Sequence, residues 1–298
     1  NYLLLLSAGA DCARAHLTAQ KKIGPLEAPA LCMLMRKHVT GGRISDIRQI
    51  DCDRILEISI DHYDELGERA TKKLICEFMG KHSNLIFLGG DGRIIDSARR
   101  VNEAMSSVRE VLPGLRYELP PAHGKIPFAE VSAERLLNAL QGQAGFLWKP
   151  LARSISGLST QAAHEFAFRA TGNEDAHIEE CDLRAVCESV AFELQHLTPN
   201  PQVLFDSEGK SADFTAFEYK SRENMNRKAF ETLSEAMDAF YLSRDQAARI
   251  QQKSATMHRV LKTNIERLER KLALQKEALL GSERMEEYRI KGELLMAN

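Results

Sequence analysis

The stretch KKLICEFMGKHSNLIFLGGDGRIIDSA, residues 72–98, decides the architecture. Leu74, Cys76 and Phe78 alternate with Ile75, Glu77 and Met79, so a strand here offers apolar side chains to both faces and needs cover on both. A second apolar run, 84–88, follows. Gly89-Gly90-Asp91-Gly92 separates it from a third at 93–98, and glycines between two such runs signal a hairpin. Upstream, RISDIRQI (43–50) and RILEISI (54–60) read as two further strands. Their spacing predicts an antiparallel meander. Tyr2–Ser7 is another candidate strand. Pro29 opens a helix through Leu31, Leu34, Met35 and His38, which Gly41-Gly42 closes. Pro113-Gly114 and Pro120-Pro121 punctuate an extended segment after the sheet.

Past residue 127 the period changes from two to that of a helix. Ser132-Ala133-Glu134-Arg135 starts a helix with Leu136, Leu137 and Leu140 on one face. LWKPLARSISGLSTQAAHEFAFRATG, residues 147–172, predicts two helices joined by a tight Ser156-Gly157 turn. Another helix runs from Leu183 to Leu197 and ends at Thr198-Pro199. The joined pair has two readings. A helix-hairpin-helix module aims the first-turn N–H groups of its second helix at a phosphate. Such a module carries two glycines, and here Ser159 stands at the second. A glycine-turned helix pair is also a plain packing unit.

A strand pair around Asp206-Ser207-Glu208-Gly209-Lys210 and a helix ending near Tyr241 come next. From Ser243 the composition shifts. Met257, Leu261, Ile265, Leu268, Leu272 and Leu279 recur at spacings of three and four, with Glu, Lys and Arg outside, a coiled-coil signal over about three heptads. Roughly 36 helical residues would reach about 54 Å, and such a helix needs a partner to bury its seam.

The chain has 298 residues, 44% hydrophobic and 28% charged. That is ordinary for a globular protein of two or more domains, large enough to dispense with disulfide or metal staples. Six cysteines lie scattered without a C-x-x-C pair, which suits a reducing compartment. No apolar run approaches the roughly 20 residues of a bilayer span, and no leader is visible. The chain opens at Asn1 inside a strand-like run, so it reads as a fragment lacking its first segment. A net charge of −2 does not announce nucleic acid. Locally, Arg36, Lys37, Arg43, Arg48 and Arg54 outnumber the aspartates among them, and residues 93–116 hold an excess of arginine. Such excess fits a solvated surface or a nucleic-acid contact. There is no G-x-S-x-G, no G-x-x-x-x-G-K-[ST] and no H-E-x-x-H. The histidines show no metal-ligand spacing. No catalytic residue, cofactor or metal is expected.

Five stretches are sharper than composition: SAGADCARAHLT (7–18), LCMLMRKHVTGGRISDIRQIDCDRIL (31–56), EFMGKHSNLIF (77–87), SSVREVLPGLRYELPP (106–121) and GELLMAN (292–298). In this order they resemble the NFACT family, in its bacterial RqcH and fibronectin-binding-protein-A branch. The resemblance implies an α+β fold. A β-rich NFACT N-terminal domain lacking its first segment (1–127), on a scaffold similar to formamidopyrimidine-DNA glycosylases, precedes a helix-hairpin-helix domain (128–200). A strand pair and helix (201–243) complete the core, and the first arm of a coiled coil follows (244–298). The strand pair sits where those glycosylases carry a zinc finger, but has no cysteines, so neither zinc nor glycosylase activity carries over.

The resemblance further implies a cytoplasmic, non-enzymatic, membrane-free quality-control factor. Its partners are alanyl-tRNA and the obstructed large ribosomal subunit with peptidyl-tRNA, where it recruits alanyl-tRNA for untemplated C-terminal alanine tailing. Fibronectin, bound by a surface adhesin, is the alternative partner. The family's Asp-Arg pair matches Asp53-Arg54. A guanidinium forks onto phosphate or a base edge, and the carboxylate accepts from base amines or holds the arginine. Without the family match the same pair reads as a surface ion pair at a strand start. Glu77, Lys81, His82, Ser83 and Asn84 form a second tRNA-binding patch in this reading. Lys81 stands where many relatives have Arg, and so lacks the planar fork. His82, Ser83 and Asn84 either meet unpaired bases or cap the turn between two strands. Arg109 and the PGLRYELPP segment read as structural.

Overall fold

A computed structural model of the chain describes residues 2–21, 24, 27–63, 67–121 and 124–297. Asn1 and Asn298, named above, lie outside the described residues. Two compact units emerge, Asn1–Phe240 and Tyr241–Asn298.

In the first unit, β3 (Arg43–Gln49), β4 (Ile55–Tyr63), β5 (Arg69–Glu77), β6 (Asn84–Leu88) and β7 (Ile94–Ser97) form a five-stranded antiparallel meander in chain order. Alternation and the glycine turn predict this arrangement. In register, Ile55 faces Glu77, and Glu77 faces Asn84. On one face Ile55, Ile75, Ile86, Leu88 and Ile94 pack with Val111 from the segment after the sheet. On the other, Ile58, Ile60, Leu74, Cys76 and Phe87 meet Leu31, Leu34, Met35 and Val39 of α1 (Ala30–Val39) and Leu6 of β1 (Leu3–Ser7). Cover on both sides explains why β5 is apolar at successive positions. Burial pushes the Cys76 thiol up to about 12, so it stays protonated and acts as packing.

β1 pairs with β2 (Arg14–Thr18), a strand the hydrophobic pattern does not announce. This hairpin is clasped by Asp238 of α6 (Leu233–Met296). The carboxylate lies 2.9 Å from His16 Nε2 and accepts from Thr18 Oγ1 at 2.8 Å and the Ala19 N–H at 3.3 Å. Burial pushes this carboxyl up, but the His16, Thr18 and Ala19 bonds prevail and hold it below the usual carboxylate range. A depressed carboxylate contributes stability that is complete above its unfolded pKa, about 3.9, and is lost as pH falls through the folded value. Asp238→Asn should therefore be destabilising at neutral pH and flatten the loss of stability below about pH 4. Denaturant melts over the acid range check this, and parallel pH curves for the two proteins would count against the clasp.

α2 (Ala133–Leu140), α3 (Trp148–Ser154), α4 (Thr160–Thr171) and α5 (Leu183–Gln195) enclose a core of Leu136, Leu140, Leu147, Leu151, Phe166 and Val190. Ser132 caps α2, Ser159 caps α4 and Asp182 caps α5, each accepting a first-turn N–H. Beside the helices lies a three-stranded sheet, ordered β10 (Asn226–Ala229), β8 (Gln202–Phe205), β9 (Ser211–Thr215). The strand pair expected there has gained β10. Fully buried Glu165 ties the link between β9 and β10 to the helices. It accepts from Arg169 Nε at 2.6 Å and from the Lys220 and Ser221 N–H groups at 2.8 and 3.0 Å.

The helix break expected near Tyr241 is absent, and α6 runs unbroken from Leu233 to Met296. No glycine or proline stands between 233 and 280 to stop it. In the second unit, Met257, Leu261, Ile265, Leu268, Leu272 and Leu279 each leave more than half of their surface exposed. Among the described residues, no helix is long and apolar enough to cross a membrane.

Candidate functional site

The five-residue link between β3 and β4 is a tight reversal. The Ile50 N–H donates to the Ile55 carbonyl at 3.0 Å, and the Asp53 N–H to the Ile50 carbonyl at 2.8 Å. The two central residues have positive φ, 48° at Asp51 and 55° at Cys52. That is type I′ geometry, whose twist suits antiparallel strands and which normally takes Asn-Gly. Aspartate tolerates the left-handed region. A cysteine there costs of order 1 kcal/mol, so the turn needs outside support. Gln49 Nε2 donates to the Asp53 carbonyl at 2.7 Å, and Ser156 Oγ to the Asp51 carbonyl at 3.1 Å.

The turn delivers Asp53, half-buried, and Arg54, exposed. Asp53 Oδ1 accepts the Arg54 backbone N–H at 2.7 Å. The Arg54 guanidinium has no hydrogen-bond or ion-pair partner among the described residues. The surface ion pair is therefore not formed. The aspartate holds the arginine's main chain and leaves its side-chain charge uncompensated, free for a forked contact to an oxyanion or base edge.

The Arg54 carbonyl accepts the Phe78 N–H at 2.9 Å. β5 then passes into one 3-10 turn at Gly80–His82, where Lys81 and His82 are exposed. Arg54, Lys81 and His82 thus share one end of the five-stranded sheet.

The other three members of the second patch lie behind that surface. Glu77 is 0% exposed. Its carboxylate accepts from the Arg109 guanidinium and from the Tyr117 hydroxyl, the latter at 2.8 Å. Burial, reinforced by the Glu77 charge, pushes the Tyr117 phenol far up, so its hydroxyl remains a donor. Asn84, 3% exposed, accepts the Arg99 N–H at 2.9 Å and donates to the Arg99 carbonyl at 2.7 Å. Arg99 in turn reaches the Lys81 carbonyl. Ser83 is 1% exposed. Glu77, Ser83 and Asn84 thus lie buried beneath the surface that Lys81 and His82 share, which corrects the expectation that all five meet RNA directly. Asn84, through Arg99, supports the loop, and the Ser83 hydroxyl has no partner among the described residues. Asn84 does not cap the turn between β5 and β6: its side-chain amide bridges to the Arg99 main chain beyond β7.

Arg99 has a supporting role that no sequence pattern isolates, whereas Tyr117, in the segment read as structural, donates to Glu77. A lone arginine whose partners are an asparagine side chain and a lysine carbonyl gives no signal in one chain. Arg109, read as structural, is the buried glutamate's partner. Among the described residues no group of His, Cys, Asp and Glu could hold a metal ion.

A curated relative, the Rqc2 homolog RqcH of Bacillus subtilis (strain 168), is 34% identical over 299 residues, covering 100% of this chain and 51% of that protein. The chain spans about half the length of the curated relatives it matches. Among solved structures, the N-terminal part of the fibronectin/fibrinogen-binding protein from Streptococcus suis superposes with a TM-score of 0.65 at 30% identity, over 81% of this chain and 83% of that one. The fibrinogen binding protein from Staphylococcus aureus gives 0.68 at 27% identity, over 80% and 83%. Residues 1–298 match the family described as NFACT N-terminal and middle domains. With that match running the whole chain, and relatives alike in sequence and in fold, this protein belongs to the NFACT family.

Proposed function

We propose that this chain is the RNA-gripping half of a cytoplasmic ribosome-quality-control factor. It binds tRNA and the obstructed large ribosomal subunit that retains peptidyl-tRNA, and recruits alanyl-tRNA for untemplated C-terminal alanine tails. The observation that carries the reading is the Arg54 guanidinium, uncompensated and held outward on a strained turn. Lys81 and His82 extend the contact along the same end of the sheet. The names of the curated relatives support the ribosomal setting. Peptide bonds are made by the ribosome, so this protein contributes positioning and no reacting group.

In this reading the β-rich part and helices α2–α5 form a glycosylase-like scaffold without its chemistry, with α3–α4 as the helix-hairpin-helix element. The exposed apolar seam of α6 is the first arm of a coiled coil that reaches the ribosomal particle, with a salt-sensitive share of binding. Sequencing the RNA that co-purifies with the full-length protein tests the proposal. One dominant tRNA together with large-subunit RNA is expected, and RNA lacking both overturns it. The fibronectin- and fibrinogen-binding names of the solved relatives favour a second reading, a surface adhesin. Cell-surface protein without ribosome co-sedimentation would select that one.

A further inference from the structure

The turn that presents Asp53 and Arg54 leans on the turn between α3 and α4. We propose that Ser156 and Gly157 are positioning residues for the Asp53–Arg54 contact, an assignment that rests on the RNA-binding reading above.

Two contacts define the support. Ser156 Oγ donates to the Asp51 carbonyl at 3.1 Å. Gly157, at φ +78°, comes so close that a Cβ there would stand 2.8 Å from the Cys52 carbonyl oxygen. These are the carbonyls of the two residues that, among the described residues, have positive φ without being glycine. The support therefore falls on the strained pair. A turn with a non-glycine pair in the left-handed region relaxes to another geometry unless its surroundings over-determine it. Relaxation would carry Asp53 and Arg54 with it, because both hang on the same reversal.

The supporting turn is itself anchored. The Ile126 N–H donates to the Ser154 carbonyl at 2.7 Å, and the Ser156 N–H to the Ile126 carbonyl at 2.8 Å. Ile155, between them, is fully buried in the helical core. The helices thus supply a fixed surface, and the β3–β4 turn is pressed to shape against it. Glycine at 157 is required twice: for its backbone conformation, and because only a residue without Cβ permits the approach.

Gly172 separates these two requirements. It closes α4 at φ +77° with nothing within 4 Å of its Cβ position. Gly172→Ala therefore carries the same backbone cost as Gly157→Ala without touching the Asp53–Arg54 turn. The experiment titrates the full-length protein with an alanine tRNA transcript for wild type, Arg54→Ala, Gly157→Ala and Gly172→Ala. It also follows hydrogen exchange of the Ile50 and Asp53 N–H groups, which close the turn. Gly157→Ala should weaken tRNA binding about tenfold or more, equivalent to about 1.4 kcal/mol, and speed exchange at both positions. Gly172→Ala should do neither. Equal tRNA affinity and equal exchange for the two alanine variants overturns the assignment. Should Gly157→Ala fail to fold, Ser156→Ala, expected to weaken binding about threefold, and its rescue by Ser156→Thr decide on the same readouts. If Arg54→Ala binds tRNA as wild type does, the RNA-binding reading of the site fails. The support of the turn is then judged by exchange alone.

Discussion

Arg54→Ala in the full-length protein should weaken tRNA binding by roughly 10- to 100-fold, the loss of a charge-assisted forked contact of about 1.5–3 kcal/mol. It should leave folding stability within about 0.5 kcal/mol of wild type, because the side chain is exposed and has no hydrogen-bond or ion-pair partner among the described residues. Arg54→Lys keeps the charge and loses the planar fork, so an intermediate affinity is expected. The salt dependence of binding should fall by about one phosphate's worth if the guanidinium sits on the backbone, and stay unchanged if it reads a base edge. Asp53 acts differently, since its carboxylate holds the Arg54 N–H at 2.7 Å. Asp53→Asn retains an oxygen for that bond and should bind better than Asp53→Ala. The two residues work as one unit, so their effects should not add. Alanine tailing by the Asp53→Ala, Arg54→Ala double variant should disappear. Normal tails from a folded double variant would remove the site.

What could be read in the chain, and what could not, follows from where polar residues point. The five-stranded meander was legible because β4, β5 and β6 are apolar on two faces and Gly89–Gly92 marks a turn. β2 escaped because its inward positions are polar. Arg14 and His16 are buried there while Leu17 is 46% exposed, the reverse of the usual alternation. β10 escaped because Asn226-Arg227-Lys228-Ala229 is a charged edge with no apolar face. The shift at Ser243 suggested an end to a helix, yet a change in composition stops a helix only if it brings glycine, proline or a cap. The β3–β4 turn is the deepest case. Asp51-Cys52 has none of the glycine that type I′ geometry asks for, and its stability comes from Ser156 and Gly157, about a hundred residues away. Local sequence rules describe local energies, and this turn is held by a tertiary one.

The same limit governs Glu77, whose charge reads as a surface feature and whose environment makes it a core residue. Glu77→Ala should cost about 3–5 kcal/mol, because it strands the Arg109 guanidinium and the Tyr117 hydroxyl where water reaches them poorly. At about 2–4 °C per kcal/mol for a domain of this size, the melting temperature should fall by roughly 6–20 °C. Removing Arg109 as well should recover part of the loss, so the two single effects should exceed that of the double variant. Replacing the pair together by apolar residues of similar volume should recover more. The consequence for binding runs through the fold. Glu77 lies across from Ile55 in register and directly precedes Phe78, whose N–H holds the Arg54 carbonyl. The variant's tRNA binding should therefore be lost in step with unfolding and return when assayed well below its melting temperature. Were Glu77→Ala to abolish binding with the melting temperature unchanged, Glu77 would have to touch RNA itself. The carboxylate would then have to leave Arg109 and Tyr117 to do so, a rearrangement that the same stability measurement would register.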